Sequence, residues 1–110
     1  FSGTRDDTPM LASWADDRRI PFDRIPGPHQ YLVTFAGADH FALADNEIGL
    51  DGRPVLRNPA VHQFALAITT TFWDAFLRDD SSARDGLRRA DLAGLSRGLC
   101  VLERRNLPAE

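Results

Sequence analysis

The stretch Tyr31-Leu32-Val33-Thr34-Phe35-Ala36 restricts this chain most. It carries no charge and is rich in β-branched and aromatic side chains. Such a run has no polar edge to turn to solvent, so it predicts a strand over residues 31–36 buried on both faces, as in a parallel sheet. Gly37 ends it, and the small-residue turn Gly37-Ala38 delivers Asp39 and His40 just past its end. In open α/β sheets, chemistry sits beyond the carboxyl ends of the strands. His40 is therefore the first candidate base.

Phe1-Ser2-Gly3 reads as the end of another strand, and Thr4 to Pro9 as a polar turn closed by Gly3 and Pro9. The chain does not begin with Met, and the expectation is that an N-terminal portion of the same domain is missing. Met10, Leu11, Trp14 and Ala15 have helical spacing, fading at Pro21, and Pro26-Gly27-Pro28 forces a loop. Residues 39–58 form a long connection with Gly49, Asp51-Gly52 and Pro54 as turn residues. Connections of that length in compact domains are commonly functional. Phe41 and Leu43 are expected to line a pocket there.

Asn58-Pro59 is a helix start, a capping side chain followed by proline in the first turn. The helix should run to about Arg78. Val61, Phe64, Ala65, Ile68, Thr69, Phe72, Trp73 and Phe76 fall on its apolar face, opposite Gln63, Thr70, Thr71, Asp74 and Arg78. Phe72, Trp73 and Phe76 are expected in the core. A second helix starts at Asp80 or Ser81 and runs to about Arg89. A helical turn spans 91–96, Gly98 stops it, and Leu99 to Leu102 reads as a short strand in which Cys100 is a small buried hydrophobe. The fold class is α/β, parallel strands with packing helices. Two strands hardly cover so large an apolar helix face, so the sheet is expected to be incomplete on its own.

Composition excludes several functions. Net charge is −3, and the arginine pairs 18–19, 88–89 and 104–105 lie among acids, so no basic stripe offers itself to nucleic acid. One cysteine excludes an internal disulfide. No apolar run approaches the roughly 20 residues of a membrane span. His29, His40 and His62 share no metal-ligand spacing.

Asp6 follows Gly3 by three residues, as His40 follows Gly37. If the two strands are parallel neighbours, about 4.8 Å apart, their exit loops share one sheet edge. Aspartate and histidine then meet, although 34 positions separate them. A carboxylate on the imidazole Nδ1–H fixes the tautomer and leaves Nε2 as general base. Asp7 is a rival for the role of acid, since either carboxylate suits a turn cap.

Three motifs in this order, Gly3-Thr4-Arg5-Asp6-Asp7-Thr8-Pro9, Gly37-Ala38-Asp39-His40 and Thr71-Phe72-Trp73-Asp74-Ala75-Phe76-Leu77, resemble the last part of α/β-hydrolases. The group similar to dienelactone hydrolase and platelet-activating-factor acetylhydrolase is the nearest in pattern, and the resemblance runs from Phe1 to about Arg104. It implies that residues 1–110 are the C-terminal portion of one α/β-hydrolase domain. It implies Asp6 as triad acid and His40 as triad base, a small ester as substrate, an acyl-enzyme, and no metal or cofactor. In that family the nucleophile elbow and oxyanion hole precede both residues, so they lie outside this chain. The literal G-x-S-x-G at Gly94-Leu95-Ser96-Arg97-Gly98 is a coincidence on this reading. A helical segment precedes Ser96 and a strand follows, the reverse of an elbow. An alternative of another class is a non-catalytic α/β module that binds a partner through the helix face 61–76.

Overall fold

The structure is a computed structural model, described for residues 1–8, 11–39 and 58–108. Its centre is a three-stranded mixed sheet in the order β1-β2-β3. Strand β1 (Ser2–Gly3) runs parallel to β2 (Gln30–Phe35), with Ser2 opposite Thr34 and Gly3 opposite Phe35. Strand β3 (Cys100–Arg105) runs antiparallel to β2 along its whole length, from Gln30 opposite Arg105 to Phe35 opposite Cys100. The uncharged run is thus the central strand, with Leu32, Val33 and Phe35 buried. Alternation sends Leu32 to one face and Val33 and Phe35 to the other.

The sheet is not all-parallel, which corrects the expectation of parallel strands. The strand reading of 99–102 also stops short, because β3 continues through Glu103, Arg104 and Arg105. An edge strand tolerates charge, and these side chains find specific partners. Glu103 pairs with Arg19 at 3.2 Å. Arg105 donates to the Phe22 and Ile25 carbonyls at 2.6 and 3.2 Å.

The segment between β1 and β2 holds a 3-10 turn (Ala15–Arg19) running into the short helix α1 (Ile20–Arg24). Helical structure therefore starts later than the 10–15 spacing predicts, and Pro21 opens a helix instead of ending one. Proline suits a first helical turn because its missing N–H has no partner to lose there. Leu11 to Trp14 instead form a turn, with Thr8 and Ser13 paired as an isolated antiparallel bridge.

Helix α2 (Pro59–Leu77) starts as its sequence dictates: the Asn58 side chain accepts the Ala60 N–H at 3.0 Å. Asp80 caps α3 (Ser81–Arg89) by accepting from Ser82 and Ala83, and Asp91 caps the single turn α4 (Leu92–Leu95) by accepting from Gly94. Val61 and Ala65 of α2 join Val33, Phe35, Ala38, Leu92 and Cys100 in the core, with Phe64 and Ile68 packed against it. Cys100 is fully buried. Trp73 departs from expectation, standing 50% exposed with Leu66 and Leu77 on the outer stripe of α2. Past Ile68 the inner face of α2 is taken up by Phe72 and Phe76, which pack on Tyr31, and Trp73 lies beside Phe72, the two rings T-shaped at 5.1 Å between centroids. Among the described residues no helix is long and apolar enough to cross a membrane.

Candidate functional site

The loops leaving β1 and β2 emerge at one edge of the sheet and are stapled together. The Thr4 N–H donates to the Phe35 carbonyl at 3.0 Å, and the Arg5 N–H to the Ala38 carbonyl at 2.9 Å. The Thr4 hydroxyl accepts the Gly37 N–H at 2.7 Å. Two glycines permit this approach. A Cβ on Gly3 would lie 2.2 Å from the Ala38 carbonyl oxygen, so no side chain fits. Gly37 has φ +75°, which an L side chain rarely adopts.

Asp6 sits inside this stapled edge, only 9% exposed. Its backbone N–H turns back to the Gly3 carbonyl at 3.2 Å. Its carboxylate meets the Arg18 guanidinium, Oδ2 to Nε 3.3 Å. Arg18 is itself held, donating from Nη1 to the Ser13 hydroxyl at 2.5 Å. The contact is an ion pair at an enclosed position, in which the Arg18 Nε–H makes no hydrogen bond to the carboxylate. Asp7 is exposed and its Oδ1 accepts the Ala15 N–H at 2.7 Å, the turn-capping work that either carboxylate suits. Asp39, half-buried, carries the β2 exit loop onward to His40, which lies outside the described residues, as do Phe41 and Leu43.

Ser96 belongs to a different construction. The turn α4 precedes it and β3 follows it, as the sequence predicts. Its hydroxyl accepts the Cys100 N–H at 3.0 Å and donates to the Cys100 carbonyl at 3.2 Å, closing the turn into β3. Gly98, at φ +82°, completes that turn. Ser96→Ala removes both of these part-buried hydrogen bonds and leaves the buried Cys100 N–H without this acceptor, so it should cost about 1–3 kcal/mol of stability. Denaturant unfolding beside a kinetic assay checks both halves of the expectation: a lower midpoint, and turnover within about twofold of the parent, the margin of an effect worth under 1 kcal/mol in a barrier.

His29 has φ +60°, and its ring lies against Phe76, centroids 4.8 Å apart. His62 lies in the first turns of α2. Among the described residues no three or more His, Cys, Asp or Glu side chains gather where they could hold a metal ion. One feature the sequence did not signal is Arg18. Its pairing with Asp6 depends on a chain reversal between β1 and α1 that no local pattern announces. Comparison with protein-family models, with curated proteins and with solved structures finds no match to this chain.

Proposed function

We propose that this chain is the C-terminal portion of an α/β-hydrolase acting on small esters, and that Asp6 and His40 are the acid and base of its Ser-His-Asp triad. The observation that supports this reading most is the stapled edge: two parallel neighbouring strands whose exit loops are hydrogen-bonded to each other, one carrying a buried aspartate and the other leading to His40. In the mechanism, Asp6 accepts the Nδ1–H of His40 and Nε2 takes the proton of an attacking serine. The serine adds to the ester carbonyl and backbone N–H donors hold the oxyanion. The imidazolium then protonates the leaving alcohol, and water repeats the sequence on the acyl-enzyme. Serine and oxyanion donors come from outside residues 1–110.

A serine-directed fluorophosphonate, with the adduct located by mass spectrometry, tests this in the full-length protein. Label is expected on a serine before Phe1. Label on Ser96 would overturn the placement of the nucleophile outside the chain. The isolated 110 residues are expected to show no esterase turnover and no sharp thermal transition, because β1 is two residues long and parallel strands need both faces covered. A cooperative transition in a monomer would instead favour a self-sufficient module that binds a partner.

A further inference from the structure

The loop between β1 and α1 is closed on itself in three places. Thr8 and Ser13 exchange backbone hydrogen bonds, N–H to carbonyl at 2.6 Å one way and 3.2 Å the other. The Asp7 carboxylate takes the Ala15 N–H at 2.7 Å. The Trp14 N–H donates to Asp17 Oδ2 at 2.9 Å. These closures return the 3-10 turn Ala15–Arg19 to the exit of β1, and Arg18 with it.

Asp6 and Thr8 are the buried polar residues among those described, and Arg18 reaches both. Its Nε lies 3.3 Å from Asp6 Oδ2, its Nη2 3.5 Å from Thr8 Oγ1, and its Nη1 is tied to the Ser13 hydroxyl at 2.5 Å. The Nε–H makes no hydrogen bond, so the attraction to Asp6 is one of charge for charge. Water screens it less than a surface pair, because the two side chains are 26% and 13% exposed. The next arginine turns elsewhere: Arg19 meets Asp23 at 2.9 Å and Glu103 at 3.2 Å, with about two-fifths of each side chain exposed.

A carboxylate enclosed without a counter-charge is costly. In a Ser-His-Asp arrangement the acid must also hold its place while the imidazole beside it gains charge. A displacement of about 1 Å at such a site costs up to about 100-fold in rate.

We propose that Arg18 is the positioning residue of the triad acid: its charge, anchored by Ser13 and Thr8, holds the Asp6 carboxylate in place for His40. Arg18 touches no reacting atom and acts on the rate only through Asp6. The inference rests on the triad reading and adds to it a residue that composition and spacing do not mark.

Steady-state hydrolysis of p-nitrophenyl acetate by the full-length protein tests it. Arg18→Gln is expected to lower kcat by about 10- to 100-fold with KM within about twofold of the parent, because the residue works through the acid and not on the ester. Arg18→Lys keeps a positive charge and should recover kcat to within about fivefold of the parent. Arg19→Gln, the same chemistry one residue on, should stay within about twofold. In an Asp6→Asn background, adding Arg18→Gln should change kcat by less than about twofold, since the group it acts through is gone. Circular dichroism and thermal unfolding check that each variant folds. Should Arg18→Gln fail to fold, Ser13→Ala takes its place: it unties Nη1, keeps both charges and should lower kcat by about threefold or more, and a kcat equal to the parent's would overturn the inference. Parent-like kcat in folded Arg18→Gln, a loss carried by KM alone, no recovery in Arg18→Lys, an equal loss in Arg19→Gln, or the same loss repeated in the Asp6→Asn background would each overturn the inference and leave the triad reading standing. Parent-like kcat in Asp6→Asn would end both.

Discussion

On the triad reading, His40→Ala in the full-length protein should lower kcat/KM on a small activated ester by roughly 10⁴- to 10⁶-fold, the scale on which a serine loses its base. The physical reason is that a serine hydroxyl is a poor nucleophile at neutral pH unless a neighbouring imidazole takes its proton during attack. Asp6→Asn should cost roughly 10⁴-fold, because an amide in the carboxylate's place favours the wrong imidazole tautomer and gives no stabilisation to the imidazolium. Asp7→Asn is the control. Its carboxylate accepts the Ala15 N–H at 2.7 Å and is exposed, so turnover should stay within about threefold while stability falls by no more than about 1 kcal/mol. Steady-state rates for the three variants, each checked for native circular dichroism, decide the matter. A loss confined to Asp7→Asn would move the role of acid by one residue. Full activity in His40→Ala would end the triad reading.

Gly3→Ala should be the most damaging single methyl in the described structure. The added Cβ would lie 2.2 Å from the Ala38 carbonyl oxygen and 2.9 Å from the Ala38 Cβ, and neither belongs to a flexible side chain that can swing away. The backbone itself must part, and with it the Thr4–Phe35 and Arg5–Ala38 hydrogen bonds that staple the two exit loops. Overpacking of this kind costs about 1–3 kcal/mol, and each weakened backbone hydrogen bond adds about 1 kcal/mol. The expected sum is about 3–5 kcal/mol, readable as a lower denaturant midpoint with the slope unchanged. On the triad reading the same change separates Asp6 from His40, so turnover should fall even where the protein still folds. Gly86→Ala is the matched control. No atom lies within 4 Å of its added Cβ, and it sits within α3, where alanine is the better helix former by about 1 kcal/mol. Equal stability of Gly3→Ala and the parent would show that the two loops are not held in contact.

Local chemistry was enough wherever an element is decided by its own residues. Asn58-Pro59 places the start of α2 because an amide side chain can accept the first free N–H and proline has none to satisfy. The uncharged run 31–36 marks the central strand because it carries no charge that burial would have to desolvate, and its Leu32, Val33 and Phe35 are buried. Gly98 falls where the last helical segment ends, in a turn that Arg97 at φ +53° begins and Gly98 at φ +82° continues, its N–H returning to the Ala93 carbonyl at 2.8 Å. The same kind of reasoning brought the exit loops of β1 and β2 to one edge, since two parallel neighbours must release them on the same side.

Tertiary structure decided whatever depends on partners distant in the chain. The direction of β3 is one case: a strand's residues say that it pairs, not which way it runs, and the turn closed by Ser96 and Gly98 brings it back antiparallel. Trp73 is another, because helical spacing assigns it to the apolar stripe but the neighbouring elements determine how wide a stripe is covered. Asp6 and Asp7 are adjacent and chemically identical. One is buried against Arg18 and the other caps a turn because the chain reverses between β1 and α1. Arg84, Arg88 and Arg104 look like scattered surface charge in a chain of net charge −3. Only when α3 and β3 are both laid beside Tyr31 do their charges act on the same phenol, opposing the burial that raises its pKa. Long-range electrostatics and packing are properties of distances in space, and the order of residues along the chain does not contain them directly.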